Sequence, residues 1–168
     1  MNSIRDRVTE YLIRTKARAV ARKLNKALNF PAKANAINKV LVILPRNLEM
    51  LDRASNFVQS LRKTFPNWRV ELFDVDKLSR SDLNRMHIPR PEILHKLKSA
   101  EYSFVVDLND SEDELSGFIA LMTEAPYRLH LNANGSSYYN IVYQPQRNGE
   151  STYYDSLLNY LRKLFVKN

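Results

Sequence analysis

The sequence contains no cysteine, only three glycines and a single tryptophan among 168 residues. Without cysteine there is no disulfide framework, no thiolate zinc site and no Cys nucleophile, a composition suited to a reducing cytoplasm. Scarce glycine removes the phosphate-cradling loops: neither a G-x-G-x-x-G fingerprint nor a Walker loop is present. No apolar run approaches the ~20 residues of a spanning helix, and the N-terminus lacks the apolar stretch of a secretory signal. These absences point to a cytoplasmic chain without a membrane span. What is present is an ordinary globular composition, 44% hydrophobic. At ~150 residues per domain, the length suits one domain plus an appendage.

The charge is unevenly placed. The net charge is +8, yet residues 1–40 hold ten basic side chains against Asp6 and Glu10, and the remaining 128 residues carry 16 of each sign. Overall basicity is therefore no argument for nucleic-acid binding, which the body of the chain does not support.

That basic segment reads as one long helix over residues 3–28, since no Gly or Pro occurs before Pro31. At 1.5 Å per residue it would extend ~40 Å. Ile4, Val8, Leu12 and Ala19 recur near helical spacing, and Ile13, Ala17, Val20, Leu24 and Leu28 form a neighbouring stripe. Two uses fit this pattern. The helix packs on its own domain or pairs with a second copy, or it lies on an anionic membrane with Arg14, Arg18, Arg22 and Lys26 at the phosphates. Residues 30–36 look like a connector, because Pro31 disfavours helix before it. The expected organisation is a helix and linker over 1–36 and a folded domain over 37–168.

From Asn38 onward, short apolar runs alternate with amphipathic stretches. Residues 39–44 form a nearly continuous run of Val, Leu and Ile, the form of a strand covered on both faces. A helix over 48–65 and a strand over 69–73 complete a β-α-β unit. Further strands are expected at 102–108, 127–131 and 139–143, with helices at 92–99, 112–123 and 151–166 and a short one around 82–85. Ser111 and Glu114 have capping-box spacing at the start of the helix over 112–123. Strands separated by helices imply right-handed crossovers and a three-layer Rossmann-like α/β domain with about five mainly parallel strands.

Ligands of such sheets bind beyond the carboxyl ends of the strands, near a switch in strand order. The loop after the first strand offers Arg46, suited to an anion, and Asn47, a fair helix cap. The loop after the third strand gathers Asp107, Asn109, Asp110, Glu112, Asp113 and Glu114. Paired carboxylates serve a hard cation or acid–base chemistry, but acidic residues also simply complement a helix start. The spacing is not that of a calcium loop, and these charges would repel phosphate. His87, His95 and His130 form no metal-binding pair, and only His130 falls near the expected ligand edge. Seven of nine tyrosines lie in the last 42 residues, either as a sugar platform or as ordinary strand aromatics.

Residues 38–48, Asn-Lys-Val-Leu-Val-Ile-Leu-Pro-Arg-Asn-Leu, and the helix end at 60–67, Ser-Leu-Arg-Lys-Thr-Phe-Pro-Asn, resemble the opening of the heptosyltransferase family of GT-B glycosyltransferases. Residues 102–109 and 125–129 are similar to that family's third strand and its following arginine-bearing strand, so the resemblance spans about residues 38–165. It implies the acceptor-side half of such an enzyme, with Arg46, Asn47, Asn109, Arg128 and His130 near the ligand. The family commonly carries Gly-Asp after the first strand, the Asp acting as base on the acceptor hydroxyl. Here Glu49 and Met50 stand there, and a thioether takes no proton. Glu49, Asp52 or Asp107 would have to substitute, and His130 replaces the family's Gly in the arginine-bearing strand.

The resemblance implies that the donor nucleotide-sugar binds in a second domain, whereas this sequence ends at Asn168. The expectation is therefore a non-catalytic, glycosyltransferase-like binding or scaffold protein, possessing no cofactor and peripheral to the inner membrane through its leading helix. The alternative is an acceptor-binding subunit of a sugar-transferring enzyme completed by a separate donor-binding partner. A second copy joined through the leading helix is a further partner to weigh.

Overall fold

The computed structural model describes residues 4–24, 26–132, 136–144 and 153–167. Its centre is a sheet of five strands: β2 (Lys39–Ile43), β3 (Arg69–Phe73), β4 (Phe104–Asp107), β5 (Tyr127–Leu131) and β6 (Ile141–Tyr143). They lie in the order β3-β2-β4-β5-β6, every pair parallel. This is a doubly wound α/β arrangement. The β-branched run of β2 sits beneath helices on both faces and from Val40 to Ile43 is fully buried. At the edge, β3 alternates toward solvent and carries Arg69 and Glu71, charges that discourage further strand pairing.

Helices α2 (Leu51–Thr64) and α5 (Tyr153–Leu164) cover one face; α3 (Pro91–Ser99) and α4 (Glu114–Met122) cover the other. Alternation along the strands assigns the side chains. Val40, Val42, Phe104, Val106, Leu129 and Leu131 meet α2 and α5. Leu41, Ile43 and Val105 meet α3 and α4. Asp107, Arg128 and His130 have the parity of this second face and are buried there.

Helix α1 (Ile4–Lys23) lies on the same second face, against α4. Ile13 and Ala17 are buried there, with Val20, Ala21 and Leu24 partly so, while Ile4, Val8, Tyr11 and Leu12 remain exposed. The second stripe read from the sequence thus packs on its own domain. The helix is shorter than the expected 3–28: the Leu24 N–H closes onto Val20 and Ala21, and the Lys26 N–H turns back to Leu24 O at 2.8 Å. The connector is also structured. Strand β1 (Ala32–Lys33) pairs in parallel with β7 (Phe165–Val166), and Trp68 Nε1 donates to Ala34 O at 2.9 Å. Contacts therefore cross the 36/37 boundary at both ends of the leading segment.

Two local expectations are corrected. Residues 82–85 form no helix; Asn84 instead nucleates a turn by accepting from the Met86 and Ile88 N–H groups, closed by an isolated Leu83–Pro89 bridge. The cap of α4 is Asp113 rather than Ser111, because its carboxylate accepts from both the Ser116 N–H and hydroxyl at 2.8 Å. Among the described residues no helix is long and apolar enough to cross a membrane.

Candidate functional site

The strand order reverses between β2 and β4. From β2 the chain passes into α2 on one face, and from β4 into α4 on the other. The loops beyond these two strand ends flank the place where doubly wound sheets hold ligands. Four of the expected ligand residues come together here, and a fifth, Arg128, does not.

Arg46 occupies the crevice itself. Its N–H donates to Asn109 Oδ1 at 2.9 Å, its Nη1 reaches Asp113 at 2.9 Å, and its Nη2 lies 2.8 Å from Asp76. One side chain therefore ties the loops after β2, β3 and β4. The Asp76 hydrogen bond, and then the charges of Asp113 and Asp76, hold the guanidinium pKa above its ordinary value despite partial desolvation. Asn47 caps a short 3-10 turn over Leu48–Met50 by accepting from the Glu49 N–H at 3.1 Å. Glu49 and Asp52 are both exposed at the start of α2.

Asp107, the last residue of β4, is entirely buried. Its Oδ1 accepts from the Asn109 N–H at 3.0 Å and from Asn109 Nδ2 at 2.7 Å, and its Oδ2 accepts from the Tyr139 hydroxyl. Burial pushes the carboxyl pKa up; the nearby His130 and these hydrogen bonds oppose that shift. The same burial, with the Asp107 charge, pushes the Tyr139 hydroxyl well above its ordinary value. His130 is the register partner of Asp107 on β5, fully buried, with its ring 4.8 Å from that of Tyr139. Neither ring nitrogen of His130 has a hydrogen-bond partner among the described residues.

Arg128 lies near the opposite, amino end of β5. It is 4% exposed, with Nε donating to Tyr138 O at 2.8 Å and Nη1 to Ala125 O. Desolvation lowers its pKa to about 10. Of the cations assigned to a membrane, Arg14 pairs with Glu10 at 2.6 Å and Glu114 at 3.1 Å. Arg18, Arg22 and Lys26 instead border a cavity that also includes Arg128. The tyrosines form no single platform. Tyr127, Tyr143, Tyr154 and Tyr160 belong to the α2/α5 face, and Tyr138 and Tyr139 to the other, while the side chain of Tyr153 lies outside the described residues.

Asp76, Ser116 and Tyr139 complete the polar network at the crevice, and sequence reasoning did not single them out for it. Only the tyrosine-rich tail hinted at Tyr139; Asp76 arrives from a loop on the far side of β2. Among the described residues no three His, Asp or Glu side chains are grouped to hold a metal ion. The carboxylates of Glu49 and Asp52 are exposed, whereas that of Asp107 is fully buried. No protein-family profile, curated protein or solved structure matches the chain. The fold and site thus define a doubly wound α/β domain whose switch-point loops are bridged by Arg46.

Proposed function

We propose that this chain is a non-catalytic binding or scaffold protein, built like the acceptor half of a heptosyltransferase. The supporting observation is the state of the crevice. The guanidinium of Arg46 is held between Asp76 and Asp113, and its N–H donates to Asn109, so that the cation at the crevice is already paired within the chain. A general base must reach the proton it removes. Asp107, the carboxylate that ends the central strand β4, is buried with both oxygens engaged. The resemblance supports the sugar-related setting, and the Met50 replacement supports the loss of chemistry.

The test is nucleotide release from nucleotide-diphosphate sugars by the purified chain, with a heptose-acceptor saccharide present. The expected result is release at the no-protein rate. Turnover that falls in Glu49→Gln or Asp52→Asn would overturn the reading and name the base.

A further inference from the structure

The cavity beside Arg128 has a volume of about 320 Å³, at the small end of ligand sites. Four cationic side chains border it: Arg18 and Arg22 of α1, Lys26 just beyond that helix, and Arg128 of β5. No carboxylate belongs to its lining. Among the described residues Arg18, Arg22 and Lys26 have no ion pair, whereas Arg14 pairs with Glu10 and Glu114, and Lys23 with Glu124. Glu114, the nearest acid on α4, is already shared by Arg14 and the Tyr138 hydroxyl. Glu112 belongs to the adjoining cavity, which Arg18 also borders.

Like charges brought together without a counter-charge repel one another, and more strongly where water is partly excluded. Arg128 adds a second, independent feature. Its guanidinium is fixed by two backbone carbonyls, which use Nε and Nη1. A guanidinium has five N–H donors in a rigid fork, and the Nη2 side is not taken by a protein acceptor among the described residues. A buried, pre-oriented guanidinium with its Nη2 open, beside three exposed cations, matches a group with several anionic oxygens, because hydrogen bonds from Arg and Lys to phosphate are charge-assisted. Ser137, Leu24 and Tyr139 also line it, as does Asn140, whose Oδ1 accepts from the Arg128 N–H at 2.8 Å and so braces the strand that carries the arginine.

We propose that this cavity binds a phosphate group, as a phosphomonoester or diphosphate, with Arg128 at its base and Arg18, Arg22 and Lys26 around its mouth. The site stands apart from the question of catalysis at the crevice; an active enzyme would leave it unaffected. The phosphate belongs either to a soluble small molecule or to a lipid headgroup.

The test is isothermal titration of the full chain with pyrophosphate in 0.15 M NaCl, alongside sedimentation with phosphatidylcholine vesicles containing phosphatidic acid. Wild type should bind pyrophosphate saturably with one site per chain. The Arg18→Gln/Arg22→Gln variant removes two exposed side chains that have no ion pair among the described residues and should weaken binding about tenfold or more, the scale of lost charge-assisted hydrogen bonds. The charge-matched Arg53→Gln/Lys63→Gln variant, altered on exposed positions of α2, should bind as wild type does. Vesicle binding that pyrophosphate displaces identifies the headgroup as the source; pyrophosphate binding without vesicle binding identifies a soluble ligand. No binding of either probe by wild type, or an equal loss in both charge-matched variants, would overturn the proposal.

Discussion

Replacing Asp107 separates a structural carboxylate from a catalytic one. Three donors share it: the Asn109 N–H, Asn109 Nδ2 and the Tyr139 hydroxyl. A buried donor left unmet costs about 1–3 kcal/mol. Asn109 Nδ2 retains only a 3.5 Å approach to Ser116 Oγ. Asp107→Ala should therefore lose about 3–5 kcal/mol, less than the full sum because the unmet groups relax together. Asp107→Asn keeps an oxygen for Asn109 and offers an N–H to the Tyr139 hydroxyl, which then accepts. Its cost should stay within about 1 kcal/mol near pH 4.

The two variants also differ from wild type with pH. Burial raises the Asp107 pKa in the folded state. Above the ordinary carboxylate value of about 4, the native state holds the proton more tightly than the unfolded chain, so stability falls as pH rises until the folded value is passed. Asparagine has no such proton. The stability of Asp107→Asn relative to wild type should therefore climb with pH across that window, by up to about 1.4 kcal/mol per unit. Urea unfolding from pH 4 to 8 measures it, followed by fluorescence of Trp68, the sole tryptophan, which stacks on Phe65 at 3.9 Å. A difference that is flat or declines with pH, or an alanine variant as stable as the asparagine one, would refute this account of the crevice.

Two further outcomes follow from nearby contacts. Gly117 lies in α4, and a Cβ there would fall 2.5 Å from Tyr138 Cδ2 and 2.8 Å from Cγ. Gly117→Ala should destabilise by about 1 kcal/mol net, since an overpacking cost of about 1–3 kcal/mol outweighs a helix-propensity gain of about 1. In a Tyr138→Ala background the same change should stabilise, and thermal unfolding of the four variants reads the reversal. Arg46→Ala should cost only about 1 kcal/mol, because its partners Asp76 and Asp113 keep 49% and 25% of their side-chain exposure, and most of that loss should vanish in 1 M NaCl.

Much of the fold was legible because it is written in local periods. The runs of β2 and β5, and the 3.6-residue stripes of α2 and α5, place strands and helices within a few residues of their observed bounds. Asn84 shows the limit: its side chain offered the backbone a turn where the pattern suggested a helix. The crevice was partly legible. Arg46, Asp107, Asn109 and His130 were placed at strand ends by topology alone, but that Arg46 is spent on Asp76 and Asp113 depends on loops 30 and 67 residues away. The basic cavity was invisible as such. Its cations were counted along one helix, and only folding brings them to Arg128.

The order of residues alone determined a parallel α/β sheet, the confinement of excess charge to the first 40 residues and the absence of a phosphate loop, because each depends on neighbours along the chain. Tertiary structure decided which stripe of that helix is covered, that Asp107 loses water, and that three unpaired cations face a buried arginine. Burial and charge pairing are set by distance in space, and a sheet that brings β4 beside β2 makes that distance independent of position in the chain.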